Sequence, residues 1–476
     1  MDVLFVASEV APWSKTGGLG DVAAALPRAL AARGDRVTVV TPRYGSIDPV
    51  KRGLRRLDVA LHGRSEAAGL YVADGAAPVY FVEHERFFGH RRGLYGEHGH
   101  DYADNAARFA FFTRAALDLP AALGLAPRIV HLNDWQTGLG AWMLRHEKQD
   151  LAWARAARSV LTVHNLAYQG NFPKQAVPAV GLPWEVFRHE AMEFYDQLNF
   201  LKAGLVFADA VTTVSPTYAR EILTPEHGNG LDPQLRHRAR DLHGILNGID
   251  VEEWNPETDR HLPARFGCGD LAGKAACKEA LQRELGLPVR PEVPLIGMVG
   301  RLAEQKGLDL VSAALPDLLR LGPQLAVLGS GRHDYEDLFR RAARERPDQV
   351  AAHVGFDEGL AHRIEAGADL FLMPSRFEPC GLNQMYSLRY GTVPVVRAVG
   401  GLEDTVEDYD GHRRGTGFKF REYQPRALLT AARRALEVFR DRRAWAGLME
   451  RGMAQDFGWD RSAQAYERLF EGLSSR

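Results

Sequence analysis

Short apolar runs alternate with stretches of helical periodicity along the whole chain of 476 residues. Such runs, bounded by turn residues, are typical of parallel strands that helices cover on both faces. In the first half the predicted strands are residues 3–7, 36–41, 79–82, 129–132, 160–163 and 210–214. In the second half they are residues 244–246, 295–299, 325–328, 351–354, 370–373 and 393–396. The pattern predicts the α/β class.

The two series of strands indicate two doubly wound α/β domains. Turn signals at Asn247-Gly248 and Asn255-Pro256 place the break near residues 238–256. We therefore predict domains at residues 1–243 and 244–458, followed by an amphipathic C-terminal helix within residues 459–476. Two such domains, facing each other, are expected to hold ligands in a deep cleft at the carboxyl ends of their strands.

The amino-acid composition excludes some classes of binding partner. Hydrophobic residues make up 45% of the chain, charged residues 25%, and the net charge is −2. A nearly neutral chain offers no broad basic field for nucleic acid. No apolar run approaches the roughly 18 residues that span a bilayer, so no membrane partner is predicted. The chain has three cysteines and a first strand that begins at residue 2, so we expect a cytoplasmic protein without a disulfide framework.

A lysine-glycine loop, Lys15-Thr16-Gly17-Gly18-Leu19-Gly20-Asp21, lies between the first strand and an apolar-periodic helix. Backbone N–H groups at a helix N-terminus and the charge of Lys15 predict an anion site. The run Gly18-x-Gly20-x-x-Ala23 also fits a dinucleotide fingerprint. However, Gly18 lies some ten residues beyond the strand, and the second strand ends without a ribose-binding acid. A structural glycine turn is the other alternative.

Two motifs in the second half follow strands as well. Gly300-Arg301 and Lys306-Gly307 offer a guanidinium fork and a point charge that suit phosphate oxygens, although a solvated charged turn would have the same composition. Residues 374–384 include Glu378, Cys380 and Gly381 before another helix. Free N–H groups near Gly381 would bind an anion, while Glu378 would accept hydrogen bonds from sugar hydroxyls or act as a helix N-terminal acid.

Polar residues end two further strands of the first half, namely Asn133-Asp134-Trp135-Gln136 and His164-Asn165. A lone histidine is usually structural, but here every candidate site falls at the carboxyl end of a strand. This coincidence favours a ligand site. The sequence contains neither a CxxC pair nor an HExxH motif, and no aspartate cluster with ligand spacing, so neither a metal nor a cofactor is predicted.

Taken in order, these motifs resemble the bacterial glycogen synthases and plant starch synthases of glycosyltransferase family five. The resemblance covers essentially the whole chain and rests on residues 15–19, 164–165, 247–250, 300–301, 306–307, 378–382 and 400–402. It implies the GT-B fold, with the C-terminal helix crossing back to the first domain. It also implies a retaining, metal-independent hexosyltransferase that moves glucose from ADP-glucose to the non-reducing end of glycogen or another α-1,4-glucan.

The resemblance also implies roles for individual residues. Arg301 and Lys306 would clamp the diphosphate, helped by the amides near Gly381, Leu382 and Gly18. A second set would hold the glucose: Asp134, His164, Asn247 and Glu378. Lys15 and its neighbour Asp21 would act from the first domain when the domains close. The remaining positions implied to bind substrate are Tyr95, on the acceptor side, and Asn165, Phe356, Cys380 and Asn383.

Three positions depart from the family pattern. Phe356 stands where many bacterial relatives have a tyrosine over the adenine ring, and Asn383 stands where many have threonine. Tyr386 takes the place of a second glutamate found in the broader retaining group. Two alternative functions stay open: a UDP-glucose-dependent GT-B enzyme with a small acceptor, and a non-catalytic glucan-binding relative.

Overall fold

The computed structural model describes residues 1–47, 55–61, 63–97, 99–412 and 414–475. The chain forms two compact units, Met1–Gly248 with Trp459–Arg476, and Ile249–Gly458. The first-unit strands are β1 Asp2–Val6, β2 Arg36–Pro42, β3 Arg55–Leu61, β4 Arg64–Ala73, β5 Val79–Glu83, β6 Gly96–Glu97, β7 His100–Asp101, β8 Ile129–Asn133, β9 Arg158–Val163, β10 Asn171–Pro173, β11 Glu193–Phe194, β12 Gln197–Asn199, β13 Ala210–Thr213 and β14 Leu242–Gly244.

The first-unit helices up to the end of the sheet are α1 Gly18–Ala32, α2 Asn105–Leu123, α3 Asp134–Thr137, α4 Leu139–His146, α5 Ala152–Ala156, α6 Ala176–Ala179, α7 Phe200–Phe207, α8 Pro216–Glu221 and α9 Asp232–His237. The second unit contains strands β15 Leu295–Val299, β16 Gln324–Gly329, β17 Val350–Val354, β18 Leu370–Met373, β19 Val393–Arg397 and β20 Phe418–Phe420. Its helices are α10 Ala272–Glu284, α11 Leu308–Arg320, α12 His333–Glu345, α13 Glu358–Gly367, α14 Asn383–Arg389, α15 Gly400–Thr405, α16 Pro425–Arg440 and α17 Arg442–Met453. The last helix, α18 Trp459–Ser474, belongs to the first unit.

The large sheet of the first unit has the strand order β14-β13-β9-β8-β1-β2-β5-β4-β3. Every pairing from β14 to β5 is parallel, and β4 and β3 add an antiparallel edge. The apolar run in β1 is buried because neighbouring strands and helices cover both of its faces. In the sheet, β1 pairs with β2 on one side and with β8 on the other.

The sheet of the second unit is parallel throughout, in the order β17-β16-β15-β18-β19-β20. Numbered from β15, this is the doubly wound order 3-2-1-4-5-6. The strand order reverses between β15 and β18, and in such sheets ligands bind beyond the carboxyl ends of the strands at this reversal. The topology therefore predicts a ligand site at the loops that follow Val299 and Met373.

The strand pattern read from the sequence agrees with these sheets, and the prediction of the α/β class with two doubly wound domains is confirmed. One strand was assigned to the wrong series: β14 pairs with β13 in the first sheet, whereas the sequence analysis placed residues 244–246 with the second series. The hairpin of β3 and β4 was not predicted. Among the described residues, no helix is long and apolar enough to cross a membrane.

Candidate active site

The loop after β1 is held by a buried carboxylate, Glu9. Glu9 Oε2 accepts a hydrogen bond from the backbone N–H of Thr16 at 2.5 Å, and its Oε1 accepts one from the Thr16 hydroxyl at 2.6 Å. These bonds tie residues 15–17 to the end of the strand. Sequence reasoning missed Glu9, although an acidic residue directly after a buried apolar strand is a signal that could have found it.

Tyr95 supports the same loop. Its hydroxyl donates to Glu9 Oε1 at 2.6 Å and lies 2.8 Å from Ser8 Oγ. Burial, followed by the charge of Glu9, raises the pKa of Tyr95 well above its ordinary value, so the hydroxyl stays protonated and able to donate. The ring lies near Trp135, 6.4 Å between centroids. These contacts make Tyr95 a support for the loop, and an acceptor-side role stays a prediction.

Lys15 and Gly18 flank the start of α1. Lys15 is half exposed, and its Nζ lies 2.7 Å from Asp21 Oδ1 in the first turn of the helix. Gly17 is the N-cap residue, and no side chain caps the helix there. The first turn of a helix leaves N–H groups without an intrahelical partner, which suits an anion. Lys15 is therefore a half-exposed cation at a helix start, and Asp21 is its partner.

Asp134 and His164 come together at the ends of β8 and β9. The backbone N–H of His164 donates to Asp134 Oδ1 at 2.7 Å. Asp134 has a φ of 55°, a left-handed conformation that non-glycine residues seldom adopt. Strained backbone of this kind is concentrated at functional sites. Parallel strands thus deliver the two residues, 30 positions apart, to one edge of the sheet.

The imidazole of His164 is neutral and its tautomer is defined. Burial lowers the pKa of His164 to about 3. Its Nε2 lies 2.9 Å from Asn133 Oδ1, while the Asn133 amide group donates to the Val6 carbonyl at 3.1 Å. Because an amide oxygen only accepts, Nε2 carries the proton and Nδ1 is an acceptor. Burial also raises the pKa of Asp134 to about 7, against the effect of the N–H groups of His164 and Asn165.

The two predicted asparagines differ in their environment. Asn165 forms an Asx turn, in which its Oδ1 accepts from the Ala167 N–H at 3.1 Å. Asn247 is buried, and its side-chain oxygen has no hydrogen-bond partner among the described residues. A buried polar atom without a partner costs free energy and usually indicates an absent ligand or water. Asn247 therefore suits a role in binding a polar substrate.

Arg301 and Lys306 occupy the loop after β15, at the reversal of the second sheet. Arg301 is exposed, and its Nη2 lies 3.4 Å from Gln305 Oε1. Lys306 ends the 3₁₀ turn Glu304–Lys306, and Gly307 then caps α11 with a φ of 75°. A Cβ on Gly307 would lie 2.1 Å from the Pro374 carbonyl oxygen, so only glycine fits. Close packing of the two loops after β15 and β18 thus fixes the position of Lys306.

Glu378 and Lys306 form an ion pair across these two loops. Lys306 Nζ lies 2.7 Å from Glu378 Oε2, and the Ser375 hydroxyl donates to the same oxygen at 2.9 Å. The Glu378 side chain is buried, whereas the Lys306 side chain is 28% exposed. Ser375, which sequence reasoning missed, orients the carboxylate. The pair lies beside a cavity of about 60 Å³ whose lining includes Arg301, Lys306, Ser375 and Asn383.

The segment after Glu378 is built on close backbone packing. Gly381 has a φ of 74°, and a Cβ there would lie 2.4 Å from Gln384 Oε1. Cys380 is buried, and its carbonyl accepts from the Gln384 amide at 3.1 Å. Leu382 is the N-cap residue of α14. Asn383 begins the helix and donates to the Val299 carbonyl at 3.3 Å, which links α14 to β15.

Two aromatic residues of this unit behave differently. Phe356, which follows β17, is 88% exposed. Such exposure is costly for a phenyl ring and suits stacking against a planar ligand. Tyr386 instead stacks on Trp254 at 3.8 Å between ring centroids. The residue in place of the second family glutamate therefore has a packing role.

The structure brings together only some of the predicted residues within each unit. The first unit brings together Asp134 and His164 and separately holds Lys15 and Asp21 at the start of α1. The second unit brings together Arg301, Lys306, Glu378 and Asn383 at the sheet reversal. Cations and helix N-termini of this kind stabilise developing negative charge, and carbonyl, amide and carboxylate oxygens accept hydrogen bonds from hydroxyls. Groups of these kinds are suited to binding a ligand that carries both an anion and hydroxyl groups.

Comparisons with known proteins identify the class and then the family. The model of the starch synthase catalytic domain matches residues 2–237, and that of glycosyl transferases group 1 matches residues 282–446. The catalytic domain of starch synthase IV from Arabidopsis thaliana, solved with ADP and acarbose, has a TM-score of 0.91 at 36% identity, covering 100% of this chain and 99% of that one. The protein is a glycosyltransferase with the GT-B fold.

Curated relatives narrow the identification. A glycogen synthase of Anaeromyxobacter sp. (strain Fw109-5) is 74% identical over 475 residues, which covers 100% of both chains. A glycogen synthase of Myxococcus xanthus (strain DK1622) is 52% identical over 485 residues, which covers 99% of each. The chain belongs to the glycogen and starch synthase family. The predicted family, fold and enzyme class are confirmed.

Proposed function

We propose that the protein transfers the glucosyl group of ADP-glucose to the non-reducing end of an α-1,4-glucan such as glycogen, with retention of anomeric configuration and without a metal ion. The observation that carries the proposal is the pair of Lys306 and Glu378 at the reversal of the second sheet. The 74% identity to a glycogen synthase over the full length, and the ADP bound to the starch synthase neighbour, support this choice of donor and acceptor.

Cleavage of the bond between glucose and phosphate develops negative charge on the ADP oxygens. Arg301 and Lys306 supply positive charge at the carboxyl end of β15, and Lys15 supplies it in the first unit. The N–H groups near Gly381 and Leu382 add dipoles. Each such donor typically contributes about 3–4 kcal/mol to transition-state stabilisation. These groups would stabilise the negative charge on the leaving ADP, as a metal ion does in other sugar transferases.

The glucose ring needs acceptors and a stabiliser of positive charge. Glu378 would accept hydrogen bonds from sugar hydroxyls, because Lys306 and Ser375 both donate to its Oε2 atom and orient the side chain. Asp134, Asn247 and the Nδ1 atom of His164 offer further polar contacts. The backbone carbonyl of His164 would stabilise the oxocarbenium-like sugar. We favour displacement on the same face, in which the leaving phosphate takes the proton of the attacking glucan hydroxyl.

Phe356 would stack on the adenine of the donor. Its exposed ring retains the apolar face that a purine needs, and it lacks a phenolic hydroxyl. Tyr386 is packed on Trp254, so recognition of the ribose falls to other groups. Selectivity between ADP-glucose and UDP-glucose is thus expected to depend on Phe356.

The donor is tested by incorporation of labelled glucose into glycogen, with ADP-glucose and UDP-glucose in parallel and EDTA present. We expect efficient transfer from ADP-glucose and not from UDP-glucose, with the new glucosidic bonds in the α configuration. Preferred transfer from UDP-glucose, or a strict need for added metal, would contradict the proposal. Absence of ADP release with any glucan would instead favour a non-catalytic glucan-binding protein. Trapping of a glucosyl–enzyme adduct would contradict the same-face route.

We further propose a cytoplasmic location, where nucleotide sugars are available.

A further inference from the structure

Three potential metal ligands, none of them assigned to the sugar donor or acceptor, lie close together in the second unit. The carboxylates of Glu253 and Glu358 and one imidazole nitrogen of His362 all lie within 4.8 Å of one another. Both glutamates are exposed, whereas His362 is 2% exposed. A cluster of two carboxylate oxygens and one imidazole nitrogen is a donor set that divalent transition metals prefer.

The imidazole of His362 is held in the orientation that a metal ligand requires. Its Nδ1 lies 2.7 Å from Asp259 Oδ2, and the same oxygen accepts from the Tyr390 hydroxyl at 2.6 Å. The ring stacks on Trp254 with centroids 3.8 Å apart and planes 8° apart. Nδ1 is thus committed to Asp259, and Nε2 is the nitrogen left for a ligand, with no hydrogen bond to any residue of the described chain. A carboxylate behind the histidine is the usual support of a metal-bound imidazole.

Local structure also fixes the two glutamates. Glu358 is the first residue of α13, and His362 lies four positions later, on the same face of the helix. Residues 251–254 are anchored by Arg389, whose guanidinium donates to the Trp254 carbonyl at 2.6 Å and to the Val251 carbonyl at 3.1 Å. Glu253 is therefore presented towards α13 by an ordered segment. The i, i+4 spacing of Glu358 and His362 on a helix is the sequence signal for this pair.

We propose that Glu253, Glu358 and His362 bind one divalent transition-metal ion of the zinc type, with Asp259 as the positioning residue behind His362. A tetrahedral metal about 2.1 Å from each ligand needs ligand atoms about 3.4 Å apart. Rotation of the exposed glutamate side chains closes the present spacing, and water takes the fourth position. The nitrogen ligand favours Zn²⁺ or Co²⁺ over Mg²⁺. The proposed ligands include none of the residues assigned to the sugar donor, so the proposal does not depend on the proposed function.

The test uses the full-length protein, stripped with EDTA, returned to chelator-free buffer, and titrated with Zn²⁺ by calorimetry and with Co²⁺ by visible absorption. We expect one equivalent to bind, and the Co²⁺ adduct to have the visible bands of a nitrogen-ligated, low-coordinate ion. The double variant Glu253→Gln/Glu358→Gln keeps the side-chain shapes and is expected to bind at least about tenfold more weakly and to lose these bands.

Glu252→Gln is the matched control, because Glu252 is an exposed neighbour in the same segment and lies outside the cluster. It should bind Zn²⁺ like the wild type. The proposal is overturned if the wild type binds no stoichiometric Zn²⁺, if the double variant loses less than tenfold in affinity, or if Glu252→Gln weakens binding equally. Circular dichroism of each variant confirms that the fold is retained. Glucosyl transfer measured in EDTA reports separately on the proposed function.

Discussion

At the scale of single residues, the ion pair of Lys306 and Glu378 has consequences for both side chains. A buried carboxylate is costly without a partner, and Lys306 at 2.7 Å offsets that cost. Motif spacing identified both residues, because each follows a strand in a loop rich in glycine. It gave no information on their pairing, which depends on the contact between two loops 72 positions apart. Glu9, Ser375 and the Asp259–His362 pair escaped prediction for the same reason.

Lys15 is predicted to act on the donor and not on the fold. The side chain is half exposed and pairs with Asp21 at 2.7 Å, so its removal costs little stability. We expect Lys15→Ala to lower kcat/KM for ADP-glucose by about 10²-fold or more, because a charge that stabilises the leaving diphosphate is lost. Steady-state kinetics at varied donor concentration measure the change.

Lys174→Ala provides the control for Lys15. Lys174 is a similarly exposed lysine of the same unit and pairs with Asp196 at 2.8 Å. The variant Lys174→Ala should leave kcat/KM for ADP-glucose unchanged. Equal kinetics of Lys15→Ala and wild type would remove the loop after β1 from the mechanism.

Asp134 should make the stability of the first unit depend on pH. Burial raises its pKa to about 7, from 3.8 in the unfolded chain. Between these values the folded state holds a proton that the unfolded state has released, so stability falls as pH rises through this window. Asn at this position does not titrate. From pH 5.5 to 7.5, we expect the free energy of unfolding of wild type to fall by about 2 kcal/mol relative to Asp134→Asn.

Urea denaturation of both proteins at the two pH values measures this difference. Because His164 has its pKa lowered to about 3, it stays neutral in both folded proteins over this range. Its contribution therefore cancels. A constant difference between the two proteins, or one that grows in the opposite direction, would show that Asp134 is ionised in the folded state.

At the scale of elements, the parallel strands were predictable because each is a short apolar run buried on both faces. The hairpin of β3 and β4 was not, since neither of its strands is a continuous apolar run and β4 includes alanine and glycine, which are poor strand formers. The conformations of the loops could not be predicted from the sequence either. Aspartate tolerates the left-handed region, but the sequence does not show that Asp134 adopts it and accepts a hydrogen bond from the His164 N–H.

Gly307 is predicted to be the residue on which the geometry of the Lys306 loop depends. A Cβ at this position would lie 2.1 Å from the Pro374 carbonyl, and φ is 75°. We expect Gly307→Ala to separate the loops after β15 and β18, lower the melting temperature and reduce transfer activity by at least about tenfold, because a small displacement of a positioned group is costly in catalysis.

Gly322→Ala is the comparison for Gly307→Ala. Gly322, just beyond α11, also has a left-handed φ of 95°, but a Cβ there meets no atom within 4 Å. It should cost only about 1 kcal/mol of stability and leave activity intact. Similar activities of the two variants would show that the contact between the loops does not position Lys306.

At the scale of the whole molecule, the chain is organised as two units, with α18 completing the first. The buried ring of Phe470 on α18 lies 5.8 Å from that of His131 in β8. We expect Phe470→Ala to destabilise the first unit by about 3–5 kcal/mol. Hydrogen exchange should then accelerate in β1 and β8, while β15 and β18 keep their protection.

Phe439→Ala is the reciprocal variant. Phe439 is buried in the second unit, where it packs against Trp445 at 5.2 Å between centroids. Its removal should accelerate exchange in β15 and β18 and spare β1 and β8. Equal loosening of both units in either variant would indicate a single cooperative unit. The amphipathic pattern of residues 460–473 predicted this helix, but not the partners that bury it.

The central claim is that the protein's own cations stabilise the departing diphosphate during glucosyl transfer. The most direct measurement is the single-turnover rate of transfer from labelled ADP-glucose to glycogen, in EDTA, for wild type and Lys306→Ala. We predict a fall of about 10²–10³-fold, equivalent to about 3–4 kcal/mol of lost transition-state stabilisation. A rate for Lys306→Ala close to that of the wild type would contradict the account.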